Sequence, residues 1–220
     1  MSERWSPDEI AARLAADLPG GSIVNLGIGM PTLVAAHLPP DRGIVLHSEN
    51  GIIGLGPPAS AEAVDPDLID AGKTPVTLVR GAAIVDHATS FALIRGGRLD
   101  IAVLGAYQVA ESGDLANWRV AGEDLGSVGG AMDIAIGARR LFVMMRYLDK
   151  DGRSKLVRTC TYPLTARACV KRVYTDLAVI DIAANGFVVR DRAPGVTREA
   201  LQDATAARLR FLDQPVGATE

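Results

Sequence analysis

The sequence predicts an α/β fold: a three-layer structure with a mainly parallel open sheet, helices on both of its faces and an antiparallel edge. Short apolar strand patterns alternate with segments that carry helix start and stop residues, as expected for strands joined by crossover helices. Residues 99–104 form an almost unbroken apolar run, which is typical of a parallel strand covered on both faces. The dipeptide Asn185-Gly186, between the strand patterns 173–182 and 187–189, predicts a hairpin that supplies the antiparallel edge.

The first part of the chain begins with a capped helix. Ser6 can accept hydrogen bonds from free backbone N–H groups, Pro7 suits the first helical position, and Glu9 completes a capping box. The helix ends at Pro19-Gly20-Gly21 because these residues do not continue a helix. The elements that follow are a buried strand at 22–26, a helix after Gly27-Ile28-Gly29 that Pro39-Pro40 stops, and a strand at 43–46.

The remaining elements continue the alternation of strands and helices. A helix pattern beginning at Ser90 ends at Gly96-Gly97, and Thr197 can cap the last helix. Residues 110–126 are polar and predict a loop. The other elements are a strand at 76–79, the strand at 99–104, a helix from Gly129-Gly130-Ala131 to about residue 137, and a strand at 140–145.

The composition favours one domain over residues 1–220 and excludes several classes of protein. A hydrophobic content of 48% is enough for a sizeable core, and a net charge of −3 without a basic stripe argues against nucleic-acid binding. No apolar run approaches the ~20 residues of a membrane span, and the polar start lacks the core of a signal peptide. Cys160 and Cys169 lack metal-like spacing, as do the three histidines, so we expect no metal site and reduced thiols in a cytoplasmic protein. A tail from about residue 212 is expected to be disordered.

A carboxylate, Glu49, is predicted to stand at the carboxyl end of a strand, held by a glycine-rich loop. Asn50 and Gly51 tolerate the left-handed backbone that a tight turn requires. Ligands bind at this edge in open α/β sheets. The residues after Gly51 are mostly apolar, which favours a functional carboxylate over an ordinary solvated turn glutamate. His47 faces the same side as Glu49 on a strand, so it either tunes that carboxylate or only packs beside it.

A partial dinucleotide fingerprint offers an alternative interpretation of the same region. Gly27-Ile28-Gly29 lies between a strand and a helix, and Glu49 follows near the end of the next strand. Thr32 occupies the third glycine position, however, and Pro31 removes a backbone donor that a pyrophosphate would use. These departures make a nicotinamide cofactor site the less favoured interpretation.

Two further segments could bind an anion. Gly129-Gly130-Ala131 opens a helix without bulky side chains, so its backbone N–H groups either bind an anion or form a plain packing turn. Lys73 follows Gly72 in a turn, where it either meets a phosphate or carboxylate or remains solvated.

Several motifs together resemble a known family, the B (beta) subunits of 3-oxoacid CoA-transferases, over residues of about 20 to 205. This two-subunit family includes acetoacetate and 3-oxoadipate enzymes, and later runs such as Ser154-Lys155-Leu156-Val157 are most similar to the 3-oxoadipate branch. Arg146-Tyr147 departs from that branch, which usually has an acidic residue and a histidine there. The motifs are Asn25-Leu26-Gly27-Ile28-Gly29-Met30-Pro31, Ser48-Glu49-Asn50-Gly51, Ile69-Asp70-Ala71-Gly72-Lys73, residues 90–97, Gly113-Asp114-Leu115-Ala116-Asn117-Trp118 and Gly129-Gly130-Ala131-Met132-Asp133.

The resemblance implies a CoA-transferase-like sheet and a covalent mechanism. Glu49 would be the nucleophile of a ping-pong reaction through a glutamyl-CoA thioester, and the backbone at Gly130 and Ala131 would stabilise the oxyanion. The resemblance also implies no tightly bound cofactor, because the coenzyme A thioester is a substrate. The residues expected to contact CoA or shape its site are Asn25, Gly27, Gly29, Asn50, Gly51, Lys73 and Gly129.

The same resemblance implies a partner and a substrate class. In this family the beta subunit works with a CoA-transferase A subunit, so an A2B2-like heterotetramer is expected, with little activity for this chain alone. Succinyl-CoA is the expected donor, and 3-oxoadipate or, next, acetoacetate is the expected acceptor. The alternative from a different class is a non-catalytic nucleotide or sugar-phosphate sensor on a similar sheet.

Overall fold

The structure is a computed structural model that describes residues 4–60, 62, 64–120 and 127–212 of the chain. The predicted disordered tail, from residue 213 onward, and residues 121–126 of the predicted loop lie outside the described residues. Within this part of the chain, no helix combines the length and the apolar character needed to cross a membrane.

Helices and strands alternate along the described chain. The helices are α1 (Pro7–Asp17), α2 (His87–Arg95), α3 (Ala131–Gly137) and α4 (Arg198–Asp203), with 3-10 helices at Met30–His37 and Pro40–Arg42. The strands are β1 (Ile23–Leu26), β2 (Val45–Ser48), β3 (Ile52–Pro58), β4 (Val76–Ile84), β5 (Ile101–Leu104), β6 (Gln108–Ala110), β7 (Leu115–Ala116), β8 (Arg140–Met144), β9 (Leu156–Val157), β10 (Val170–Tyr174), β11 (Ala178–Ala183), β12 (Gly186–Arg192) and β13 (Leu209–Phe211).

Ten of these strands form one sheet in the order β13-β12-β11-β10-β8-β5-β1-β2-β3-β4. The centre, β10-β8-β5-β1-β2, is parallel throughout, and antiparallel pairs extend it on both sides. The predicted α/β class and mainly parallel sheet are therefore confirmed, and antiparallel pairing occurs on both sides of the centre. A small second sheet, β7-β6-β9, is formed by segments that lie between β5 and β10 in sequence.

The first helix and the central strand form as their residues predict. Ser6 Oγ accepts the N–H of Glu9, and the Glu9 carboxylate accepts the N–H of Ser6, so the capping box of α1 is complete. All four residues of β5 are buried, as expected for a strand covered on both faces. The Asn185-Gly186 hairpin also forms, between β11 and β12.

Two predictions around the first glycine motif and Glu49 are wrong. The predicted glycine-rich loop after Glu49 is strand β3, because its apolar residues pair with β2 on one side and with β4 on the other. The predicted second helix is a 3-10 helix. Pro39 restricts the preceding residue, Leu38, to an extended backbone (φ −87°, ψ 115°), which ends the segment at the predicted Pro39-Pro40 stop.

Three further boundaries differ from the prediction. The strand predicted over 173–182 is two strands, because Thr175 turns the chain by donating its N–H and its hydroxyl to Ala178 O (3.0 and 2.7 Å). The loop predicted over 110–126 contains β7, whose two residues are fully buried. Helix α2 begins at His87 instead of Ser90, because Asp86 caps it by accepting the N–H of Thr89 (3.0 Å).

Helix α3 packs closely against α2 at Gly137. A Cβ atom on Gly137 would lie 2.3 Å from the carbonyl oxygen of Ile94, so a residue with a side chain cannot approach this closely. Arg95 strengthens the contact by donating Nε and Nη2 to the Asp133 carboxylate (2.7 and 3.2 Å). Because α3 follows directly after Gly130, its packing on α2 sets the position of the predicted anion-binding segment.

The substitution Gly137→Ala should force α3 away from α2, because the added methyl group cannot fit beside the Ile94 backbone. We expect the free energy of unfolding, measured by urea denaturation, to fall by about 1–3 kcal/mol. Gly105→Ala is the control, because its methyl group would meet open space and should leave the stability unchanged. Equal stability of Gly137→Ala and the unsubstituted chain would contradict the close packing.

Candidate active site

A cavity of about 490 Å³ opens at the carboxyl ends of the central strands. Residues at or just after the ends of β1, β2, β5 and β8 line it, as expected for a ligand site in an open α/β sheet. Six of the residues predicted from sequence are brought together here: Asn25, Gly27, Glu49, Gly129, Gly130 and Ala131.

Glu49 lies in a tight turn between the antiparallel strands β2 and β3. The N–H of Gly51 donates to Ser48 O (3.0 Å), which closes the turn. Gly51 has a φ of 118°, and a Cβ atom there would lie 2.0 Å from Val85 O, so glycine is required. Asn50 is exposed, and its side-chain amide donates to Ile69 O (2.7 Å).

The Glu49 carboxylate is half-buried and accepts no hydrogen bond from any described residue. Burial raises the pKa of Glu49 above its ordinary value, and a smaller opposing effect comes from the positive charge of His87. A carboxylate that has lost part of its hydration and gained no donor is a better nucleophile than a solvated one.

Gly130 approaches the Glu49 carboxylate directly. A Cβ atom built on Gly130 would lie 2.6 Å from Glu49 Oε2 and 2.8 Å from Phe91 Cζ. The His87 ring packs against the Phe91 ring, with ring centroids 4.5 Å apart. The absence of a side chain at Gly130 is therefore what lets the carboxylate lie this close to the Gly130 backbone.

The three backbone N–H groups of the predicted anion-binding segment differ in their partners. Gly129 N–H donates to Ser127 Oγ (3.3 Å), and Ala131 N–H donates to Val128 O (3.1 Å). The Gly130 N–H donates to no described residue. The Gly130 N–H is thus the donor of this segment that is available to an anion, whereas the Ala131 N–H would first have to give up its hydrogen bond to Val128 O.

A buried chain of polar groups links Asn25, His47 and Ser90. Asn25 donates its side-chain amide to His47 Nδ1 (3.1 Å) and to His47 O (3.2 Å). Because Nδ1 accepts, we assign the ring proton to Nε2, which lies 3.0 Å from Ser90 Oγ. Burial lowers the pKa of His47 to about 4, so the ring is neutral at neutral pH. His47 therefore fixes Asn25 in place and gives Glu49 no charge.

The remaining oxygen of Asn25 is left without a protein partner. Asn25 is 2% exposed, lines the cavity, and its Oδ1 is buried with no hydrogen-bond partner among the described residues. A buried amide oxygen that lacks a donor is costly unless a ligand or water supplies one. This observation agrees with the predicted role of Asn25 in binding a ligand.

The other predicted site residues do not line the cavity. Lys73 is exposed, with a left-handed φ of 64°, in a loop that Ser48 anchors by accepting the N–H of Ala71 (2.9 Å). Gly29 caps the 3-10 helix and accepts the N–H and hydroxyl of Thr32 (3.1 and 2.8 Å). Asn50 and Gly51 shape the turn around Glu49 and do not face the cavity themselves.

The structure also argues against a dinucleotide site. The N–H of Gly27 donates to Val103 O (2.8 Å), so it is unavailable to a pyrophosphate. The segment that follows is a 3-10 helix that contains Pro31, and it lacks the array of free N–H groups that a regular α-helix offers. Among the described residues, no group of three or more histidine, cysteine or acidic side chains could hold a metal ion.

Sequence reasoning missed several residues of the cavity. Lys155 and Asn117 line it without having been assigned to the site, and His87 lowers the pKa of Glu49. Arg146, which the sequence placed among the positions that line or support the acyl pocket, does line the cavity. These residues come from segments distant in sequence, so no spacing rule places them together. For His87 a sequence signal was available: Asp86 is a residue type preferred at an N-cap, so it could have indicated that α2 begins at His87.

Comparisons with known proteins agree with this geometry. Residues 8–204 match the family described as Coenzyme A transferase. The chain is 50% identical over 203 residues to the beta (B) subunit of the 3-oxoadipate CoA-transferase of Acinetobacter baylyi, covering 92% of this chain and 94% of that one. It is 46% identical over 195 residues to the corresponding subunit of a probable succinyl-CoA:3-ketoacid coenzyme A transferase of Bacillus subtilis, covering 89% and 90%.

Solved structures share the fold at low sequence identity. Glutaconate coenzyme A-transferase from Acidaminococcus fermentans superposes with a TM-score of 0.68 at 16% identity, over 98% of this chain and 92% of that one. The acyl-CoA transferase YdiF of Escherichia coli O157:H7 has a TM-score of 0.74 at 19% identity, over 96% of this chain. The present chain spans 42% of the YdiF chain.

The substitution His87→Gln should raise the pKa of Glu49 further, because it removes the positive charge that favours the ionised carboxylate. The measurement is a carbon-13 NMR titration of the Glu49 side-chain carboxyl. His37→Gln is the matched control, because that ring pairs with Asp8 (2.9 Å) and does not line the cavity. A Glu49 pKa that falls or stays constant in His87→Gln would show that His87 exerts no such effect.

Proposed function

The chain belongs to the Coenzyme A transferase family, among the B (beta) subunits, and from this premise we propose that it transfers CoA from succinyl-CoA to a 3-oxo acid through a thioester of Glu49. The best candidate for the acceptor is 3-oxoadipate, followed by acetoacetate. The names of the relatives that share 50% and 46% identity with this chain support this order.

The observation that carries the proposal is the state of the Glu49 carboxylate. It stands half-buried at the carboxyl edge of the sheet, accepts no hydrogen bond from any described residue, and lines the cavity beside Gly130. A structural glutamate in this position would be bonded to its neighbours or extended into solvent. A carboxylate held in a cavity without a donor is suited to attack a bound electrophile.

The reaction divides into two balanced halves. An oxygen of Glu49 attacks the thioester carbonyl of the donor, and the carbon–sulfur bond breaks. This step leaves the donor acyl group joined to Glu49 as a mixed anhydride and releases CoA as a thiolate. The thiolate then attacks the Glu49 carbonyl, the bond to the donor acyl group breaks, and the donor acid leaves as a carboxylate. The acceptor carboxylate reverses both steps. Each half exchanges one carboxylate and one thioester for another pair, so it needs no redox partner and no net proton transfer.

Backbone groups of this chain support the charge that develops at each tetrahedral intermediate. Gly130 lies beside Glu49, and its unbonded N–H is the donor that we assign to the oxyanion. Loss of one such donor typically costs about 10²–10³ in rate. Asn25, fixed by His47, offers its free Oδ1 to a donor group of the bound CoA.

A partner protein would complete and close this site. The cavity is open, and water must be excluded because it would hydrolyse the anhydride and the thioester. Large apolar side chains are also exposed, with Ile28, Ile84 and Ile136 each about two-thirds exposed, which favours a covering protein surface. The relatives are named as subunits, which supports an A subunit as that partner in an A2B2-like heterotetramer.

The substitution Glu49→Gln should abolish CoA transfer by the chain co-expressed with its A subunit, because an amide cannot form the covalent intermediate. We expect a loss of about 10⁴-fold or more in kcat. After incubation of the unsubstituted complex with succinyl-CoA and borohydride, which reduces a thioester to an alcohol, peptide mass spectrometry should find Glu49 modified. The exposed Glu62→Gln is the control. Substantial transfer by an assembled Glu49→Gln complex would rule out this nucleophile.

The substitution Gly130→Ala should impair the chemistry while the chain still folds. Its methyl group would enter the space occupied by the Glu49 carboxylate and the Phe91 ring, so one of them must move. We expect kcat to fall by about 10²-fold or more, while the melting temperature changes little because the cavity is open on one side. Unchanged kcat in steady-state assays of Gly130→Ala would contradict the proposed approach of this segment to the carboxylate.

A further inference from the structure

A second charged side chain, Lys155, shares the cavity with Glu49. Lys155 is half-buried, and its ammonium group donates to the backbone oxygen of Ala106 (2.8 Å). None of the ion pairs among the described residues includes it. A half-buried ammonium with one neutral acceptor has donor capacity that the protein leaves unused.

The nearest carboxylates already have other partners. Asp176 is fully buried, accepts the N–H of Tyr147 (2.7 Å), and pairs with Arg4 (3.2 Å). Its carboxylate also lies 3.7 Å from Arg146, a second cation on the cavity wall. Burial lowers the pKa of Lys155, which shows that Asp176 and Asp149 only partly offset its desolvation. This wall of the cavity is therefore positively charged and would gain an anion favourably.

Lys155 and Glu49 lie at a separation that lets one small molecule contact both side chains, one at each of its ends. Ala106, to which the ammonium is bonded, follows β5, and β5 is separated from β2 by β1 alone. Two steps between neighbouring strands place the carboxyl ends of β2 and β5 roughly 10 Å apart, before the side chains of Glu49 and Lys155 extend into the cavity. Met144 and Met145 also line the cavity, and they offer apolar contacts to methylene groups.

We propose that Lys155 binds the distal carboxylate of the acyl group, so that the site selects acids with two carboxylates. This inference rests on the proposed transfer through Glu49. One carboxyl carbon would be bonded at Glu49, the methylene chain would lie against the two methionines, and the second carboxylate would meet the ammonium. Arg146 adds a positive field from the cavity wall. Lys155 is then a specificity-determining residue with no part in bond making.

The test measures selectivity in the assembled two-subunit enzyme. Lys155→Met should lower kcat/KM for succinyl-CoA relative to acetoacetyl-CoA, whose acyl group has no distal carboxylate. A hydrogen bond between charged groups predicts a fall of about 10- to 100-fold in this ratio. Lys155→Arg should retain most of the ratio, because it keeps the charge. Lys150→Met removes an exposed lysine outside the cavity and should leave the ratio at its original value.

A second measurement does not depend on any substitution. Succinate should protect Lys155 of the unsubstituted enzyme from an amine-modifying reagent, followed by peptide mass spectrometry, whereas butyrate should not. Lys150 should be modified equally in both samples.

The outcomes separate this inference from the proposed function. An unchanged ratio in Lys155→Met, or equal protection by succinate and butyrate, would overturn the role of Lys155 while transfer through Glu49 stands. A Lys155→Met enzyme that loses activity equally towards both donors, and that Lys155→Arg does not restore, would assign a structural role instead. An unsubstituted complex that transfers CoA from no donor, with Glu49 unmodified, would overturn the proposed function and the inference together.

Discussion

The site depends on the way in which one four-residue turn is fixed at the end of β2. Ser48 accepts the N–H of Ala71, Asn50 donates to Ile69 O, and Gly51 accepts the N–H of Val85. Three members of the turn are thus bonded to two other segments, and only Glu49 has a side chain that no described residue holds. The turn is fixed where it positions the carboxylate, and it leaves the proposed reacting group itself unbonded. Rigid support of an unbonded functional group is what preorganisation requires.

The surroundings of Glu49 combine neutral and charged groups in separate places. The buried Asn25–His47–Ser90 chain is neutral, because burial keeps His47 unprotonated, so it contributes position without charge. The electrostatic effect on Glu49 comes instead from His87, which lowers the pKa of the carboxyl, and Lys155 and Arg146 bring positive charge to the cavity wall. This separation lets the pKa of the nucleophile and the selection of the acyl group be adjusted by different residues.

Residues close together in sequence could be interpreted before the structure, and residues that meet only through the fold could not. The capping box of α1, the apolar run of β5 and the Asn185-Gly186 hairpin depend on neighbours along the chain, and each forms as predicted. The turn at Thr175 was missed because apolar residues flank it on both sides, and β3 was missed because its glycines imitate a loop. Glu49 and Gly130 were predicted from their motifs, and both line the cavity. Lys155 reaches the cavity and His87 comes close enough to Glu49 to lower its pKa through sheet order and helix packing, which no local pattern encodes.

The outer strand β4 has a consequence for the cell that makes this protein. It is the last strand of the described sheet on the Glu49 side, it is nine residues long, and Leu78, Val79 and Ile84 on it are exposed. An apolar edge of this length that no described strand covers is a template for pairing with another chain, and Arg80 and Gly81 near its middle only partly interrupt it. Chain synthesised in excess of whatever covers this edge is therefore at risk of self-association. A cell that uses this protein must match the amount it makes to the supply of that covering surface.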